Sequence, residues 1–156
     1  MILLFDIGNT RIKFAMLQDG KIISGKGTPY KIRGALDTLL SSITGIPEAI
    51  YLASVGDEAI RDQFLTSCHS RWGITPTLLN SVQECVGVSN GYANAESLGV
   101  DRWAAMVGAY HLVKEAVLVV DCGTACTADL VDGEGHHLGG AIIPGMQMMR
   151  DSLDTG

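Results

Sequence analysis

Apolar and polar positions alternate along this chain in blocks that identify its elements. Residues 1–5, Met-Ile-Leu-Leu-Phe, form an unbroken apolar run, the pattern of a strand buried on both faces. A second run over 11–17 follows after Asp6-Ile7-Gly8-Asn9-Thr10, so the two runs predict a hairpin with Gly8 and Asn9 in its turn. A third short strand is expected over 21–26, ended by Gly27 and Pro29. Apolar residues at 32, 35, 36, 39, 40 and 43 make a helical stripe. Residues 49–55 are apolar and rich in β-formers, and a helix follows to about residue 69 with Asp57 at its N-cap. Residues 76–79 suit a short strand, 80–95 are irregular, 98–116 predict a long helix, and 117–120 a buried strand. Strands alternating with helices after an opening hairpin predict an α/β domain with a mixed sheet.

The stretch from Ala116 to Val131 repeats the grammar of the opening. Apolar strand, Asp121-Cys122-Gly123-Thr124 and a returning strand answer apolar strand, Asp6-Ile7-Gly8-Asn9-Thr10 and a returning strand. A device used twice predicts two related lobes, 1–115 and 116–156, facing one another across a cleft. Glycine lets a phosphate approach the backbone, turn amides and a threonine hydroxyl donate to it, and an aspartate can hold a cation. Two such turns can grip one polyphosphate, with Lys13 returning over the first to neutralise charge. An isolated Asp-x-Gly is ordinary turn chemistry, so the argument rests on the repetition. Neither GxxxxGK[ST] nor GxGxxG behind a strand is present, which removes the P-loop and Rossmann readings.

Composition narrows the class. A chain of 156 residues with 47% hydrophobic residues and a mean hydropathy of +0.24 can bury one substantial core, or one domain and part of a second. No apolar window is long enough to span a membrane, and Asp6 interrupts the N-terminal run before a secretory signal could develop, so a soluble cytoplasmic protein is expected. The net charge is −6, and the eleven Lys and Arg residues are scattered, which disfavours nucleic-acid binding. Cys68, Cys85, Cys122 and Cys126 lack paired CxxC spacing and are expected to be mostly small buried residues without disulfides. Adjacent His136 and His137 on a strand point to opposite faces, which disfavours a shared metal. Met146, Met148 and Met149 are expected to fill a helix interface, and Gly139-Gly140 and Pro144-Gly145 to mark a strand end and a helix start.

DIGNTRIKF, ESLGVDRWAAMVGA, VVDCGTACTADLV and GGAIIPGMQMM, in this order over residues 1 to about 153, resemble the type III pantothenate kinases. That family, with the related Bvg accessory factor proteins, belongs with actin, the sugar kinases and the Hsp70 ATPase domains. The resemblance implies an actin-like ATPase, ribonuclease H-like fold with duplicated lobes, the second incomplete here. It implies phosphorylation of pantothenate by ATP, the first step of coenzyme A synthesis, in a homodimer. ATP would be held by Asp6, Ile7, Gly8, Asn9, Thr10, Arg11, Ile12, Lys13 and Thr124. Asp6 would lie near Mg2+, and Asp121 would bind a monovalent cation, K+ or NH4+. Tyr92, Gly99, Val100, Asp101 and Arg102 would contact pantothenate. The region around Gly140 and Gly145 would lie near the nucleotide and the subunit interface.

The chemistry of those residues agrees. Phosphoryl transfer needs positioning, charge neutralisation and a group that takes the proton of the attacking hydroxyl. Asp101 is the candidate base: it falls in the first turn of a predicted helix, where the dipole favours a carboxylate, and Arg102 beside it can orient an oxygen-rich substrate. Apart from the resemblance, Asp101 also reads as a helix-start acid beside a surface arginine. A non-catalytic Bvg accessory factor-like regulator is the alternative function. A sugar or acetate kinase keeps both turns but leaves 99–102 unexplained.

Overall fold

The computed structural model describes residues 1–154. The chain forms two compact units, Met1–Leu79 and Asn80–Gly156.

In the first unit the opening hairpin is present as β1 (Ile2–Ile7) and β2 (Arg11–Gln18), followed by β3 (Lys21–Ser24) and the two-residue β4 (Thr28–Pro29). Helix α1 (Ala35–Ser41) leads to β5 (Ala49–Ser54), α2 (Glu58–Trp72) and β6 (Thr77–Leu78). The sheet order is β3-β2-β1-β5-β6, with β4 beside β2. β1 pairs antiparallel with β2 and parallel with β5, so the sheet is mixed. Leu3, Phe5 and Ile7 alternate inward along β1 and join Ile12, Ile50 and Leu52 against Leu36, Leu39 and Leu40 of α1 and Phe64 and Cys68 of α2. Each such apolar side chain contributes roughly 1.5–3 kcal/mol by leaving water. Helix α1 is shorter than the stripe over 32–43 predicts. Gly34 takes a left-handed backbone (φ 78°) at its N-cap, which holds Ile32 outside the helix and 61% exposed. The expected cap is present on α2, where Asp57 accepts from the Ala59 N–H at 2.8 Å.

The second unit begins where an irregular stretch was expected. It contains a small hairpin of β7 (Glu84–Cys85) and β8 (Val88–Ser89) and a 3-10 turn at Ala95–Ser97. Helix α3 (Val100–Val113) ends at Lys114 in the left-handed region (φ 56°), short of the predicted 116. β9 (Val117–Cys122), β10 (Ala125–Val131) and β11 (His137–Pro144) form an antiparallel sheet in the order β11-β10-β9, and α4 (Met146–Asp154) follows. Val88, Leu98, Trp103, Met106, Tyr110 and Val131 make its core.

Several packing expectations fail. Of the cysteines only Cys68 is buried; Cys85 and Cys126 are half-buried and Cys122 is exposed, because the last two flank a turn rather than a core strand. All four are free thiols. Within this chain Met146, Met148 and Met149 are not buried: α4 has no buried residue, and Met146 is 74% exposed. Gly139 and Gly140 lie inside β11, not at its end, whereas Pro144 and Gly145 do mark the strand-to-helix junction. The chain end at Thr155-Gly156 lies outside the described residues.

Candidate functional site

The two acidic turns are built alike, each within its own unit. In the first, Gly8 N–H donates to the Arg11 carbonyl at 3.0 Å and closes the β1–β2 hairpin. Asp6 and Lys13 are cross-strand partners, with Lys13 Nζ 3.7 Å from Asp6 Oδ2, so the lysine returns over the turn as expected. The β5–α2 junction braces this turn, since the Val55 and Gly56 N–H groups donate to the Ile7 carbonyl at 3.0 and 3.1 Å. A Cβ at residue 56 would strike the Gly8 carbonyl, so only glycine fits. The Tyr30 hydroxyl donates to the Asn9 carbonyl. Asn9, Tyr30, Lys31, Gly56, Asp57 and Ile60 line an open depression of about 670 Å³ beside the turn.

In the second unit, Gly123 N–H donates to the Ala125 carbonyl at 2.9 Å and closes the β9–β10 turn, with Asp121 exposed at the end of β9 and Thr124 exposed in the turn itself. Gly145, at the β11–α4 junction, donates to the Thr124 carbonyl at 2.9 Å. A Cβ there would collide with the Gly123 and Thr124 carbonyls. In both units a strand-to-helix glycine abuts the acidic turn. Sequence reasoning reads Gly56 and Gly145 as helix starts, with Gly145 placed near the nucleotide only by the family resemblance, and gives Tyr30 no role, because a backbone approach across a sheet leaves no local pattern. Cys122 and Cys126 face one another across the second turn with Sγ atoms 3.4 Å apart, and this contact holds the Cys126 thiol above its usual range.

The start of α3 gathers the other predicted residues. Gly99 is its N-cap and Val100 is buried. Asp101 lies half-buried in the first turn, its Oδ1 accepting the Arg102 N–H at 2.8 Å. Arg102 is not the surface arginine of the simpler sequence reading. It is 8% exposed, and it donates through Nε to Asp129 Oδ2 at 2.9 Å and through Nη2 to Asp129 Oδ1 at 2.5 Å. Asp129, itself 2% exposed, also receives His137 Nε2 at 3.1 Å. The carboxylate of Asp129 holds the Arg102 guanidinium above its ordinary range against the opposing effect of burial, and the Tyr92 hydroxyl adds to the pull. The Tyr92 and His137 rings stack with centroids 5.9 Å apart and planes 6° from parallel. His136 is exposed and His137 buried, the opposite-face arrangement the sequence predicts. Asp129 falls inside the VVDCGTACTADLV motif, but its role does not show in the sequence because its partner is 27 residues away.

The profile of the type III pantothenate kinase family matches residues 2–156. The chain belongs to that family. It is 39% identical over 161 residues to a type III pantothenate kinase of Pseudomonas savastanoi pv. phaseolicola, covering 99% of this chain and 63% of that protein. Identity to the type III pantothenate kinase of Pseudomonas aeruginosa strain LESB58 is 40% over 156 residues, covering 99% and 62%. For that of Halorhodospira halophila it is 39% over 164 residues, covering 100% and 64%. The chain thus spans a little under two thirds of the length of these relatives. Among solved structures, an Aquifex aeolicus member of the Ppx/GppA family aligns with a TM-score of 0.45 at 19% identity, covering 97% of this chain and 53% of that one. YeaZ from Pseudomonas aeruginosa aligns with a TM-score of 0.43 at 13% identity, covering 92% and 68%.

Proposed function

We propose that this chain carries the ATP and pantothenate sites of a kinase that converts pantothenate to 4′-phosphopantothenate. The observation that carries the reading is the family match across residues 2–156, which takes in both acidic turns and the start of α3. The pantothenate hydroxyl attacks the γ-phosphorus, the bond to ADP breaks, and the hydroxyl proton passes to Asp101. Tyr92, Gly99, Val100 and Arg102 orient pantothenate. Asp6 through Lys13 form one phosphate turn, in which Asn9, Thr10 and Lys13 meet phosphate oxygens, and Thr124 contacts ATP from the other.

Asp6 and Asp121 offer hard carboxylate oxygens at the turns, the donor chemistry that Mg2+ and a monovalent cation such as K+ or NH4+ require. We assign Asp6 to Mg2+ and Asp121 to the monovalent ion; bound there, these ions supply positive charge to the polyphosphate. Lys13, already drawn to Asp6, adds a mobile charge at the first turn. A cytoplasmic homodimer with an actin-like, two-lobed fold completes the reading. Among the described residues no helix is long and apolar enough to cross a membrane.

The test is ADP release with pantothenate and K+, comparing wild type with Asp101→Ala. Pantothenate-dependent turnover in wild type and a fall of about 10²-fold or more in the variant are expected. Equal rates would remove Asp101 from the mechanism. Complementation of a strain lacking pantothenate kinase separates this reading from that of a non-catalytic regulator.

A further inference from the structure

Asp129 and His137 form a buried polar pair with no role so far. Both lie in the second unit, on β10 and at the start of β11, and both are nearly inaccessible to water. Burying an arginine and an aspartate together adds little net stability over a well-packed apolar pair, so a fixed geometry is the more informative property of such a contact. Arg102 has five N–H donors on one rigid plane, of which Asp129 takes two, one on Nε and one on Nη2. Because the fork is planar, holding those two sets the direction of the other three.

His137 extends the arrangement. Its Nε2 meets Asp129, while its buried Nδ1 has no hydrogen-bond partner among the described residues. With a proton on Nε2 the ring donates to Asp129. The same ring carries Tyr92 stacked on its face. The neighbouring strand leaves room for this group, since a Cβ on Gly140 would run into Asp129 Oδ1 and Arg102 Nη2. One carboxylate therefore lies at the junction of two side chains assigned to pantothenate: Arg102 directly, and Tyr92 through His137.

We propose that Asp129 and His137 are positioning residues for pantothenate, with Asp129 aiming the Arg102 guanidinium and His137 locking Asp129 on one side and the Tyr92 ring on the other. This rests on the assignment of Tyr92 and Arg102 to the pantothenate site. Neither residue touches substrate; each acts by reducing the number of orientations its neighbour can take.

The experiment measures KM for pantothenate and for ATP, and pantothenate binding by calorimetry, in wild type, Asp129→Asn, His137→Leu and His137→Gln, with thermal melts of each. Asp129→Asn and His137→Leu are expected to raise the pantothenate KM and Kd about tenfold, with the ATP KM changed less than about twofold. His137→Gln, whose side-chain amide can still donate to Asp129, is expected to recover most of the loss. Should Asp129→Asn fail to fold, the His137 pair decides, because it leaves the Arg102–Asp129 contact in place. Folded Asp129→Asn and His137→Leu proteins that bind pantothenate as wild type does would overturn the inference and leave the kinase reading standing. So would an equal loss toward both substrates, or a failure of both variants to fold, either of which makes the pair merely structural. A wild type that neither binds nor phosphorylates pantothenate would remove the kinase reading, and this inference with it.

Discussion

Arg102 and Asp129 meet in a two-point contact, Nε to Oδ2 at 2.9 Å and Nη2 to Oδ1 at 2.5 Å, between the first turn of α3 and the middle of β10. Removing one partner strands a charge away from water, whereas removing both does not. Asp129→Leu alone is therefore expected to destabilise the protein by about 3–5 kcal/mol, and the double replacement Arg102→Met with Asp129→Leu to recover most of that. Urea denaturation of the two variants and wild type checks the difference. Equal loss in single and double variants would show that the contact is not acting as a charge pair.

The first turn depends on a residue outside it. Gly56→Ala places a methyl group against the Gly8 carbonyl, and the resulting overpacking should lower stability by about 1–3 kcal/mol. The displaced turn should also bind ATP more weakly. Equilibrium unfolding and ATP titration of the variant measure the two effects; a variant as stable as wild type would mean that the junction yields freely.

Lys13 should show the opposite balance. Its contact with Asp6 is long at 3.7 Å and partly exposed, so Lys13→Met is expected to change stability by less than about 1 kcal/mol. If the lysine serves the phosphates, the same substitution raises the ATP KM severalfold. Thermal melts beside steady-state kinetics separate the roles, and an unchanged KM would dismiss the assignment.

Cys68 predicts an alkaline limit. Burial pushes its thiol from 9.0 up to about 12 in the folded chain. A raised folded pKa means the contribution to stability is complete below about pH 9 and is lost as pH climbs from there toward 12. Cys68→Ala should flatten this decline while lowering stability near pH 7 through the space it leaves. Melting temperatures from pH 7 to 11 test it, and parallel curves for the two proteins would rule the thiol out.

What could be read in advance follows the range of the interactions. The opening hairpin, the Asp57 cap and the alternating order of strands and helices are written in neighbouring residues, and they are present. The conflict between Gly34 and the stripe over 32–43 was also local, but periodicity outweighed it in the reading although the left-handed backbone shortens the helix. Three of the four cysteines are less buried than expected because apolar character does not say which side of a sheet is covered. Within the candidate site, Asp101 and the acidic turns carried recognisable motifs. Asp129 lies inside the third motif yet owes its role to Arg102, 27 residues away, and Gly56 and Tyr30 lie outside the motifs, held by partners far along the chain. His137 was legible only as the half of a histidine pair facing away from solvent.

The backing of the β1–β2 turn by Val55 and Gly56 has a bearing on when that turn matures. Its backbone support arrives about fifty residues after the turn itself, by way of a parallel pairing that no local hairpin can supply. A growing chain can therefore make the hairpin early, yet the loop at its tip acquires its final shape only after β5 has been added alongside β1. Ligand-ready geometry is then a late event in assembly, and a chain interrupted before residue 56 would hold the motif without its form.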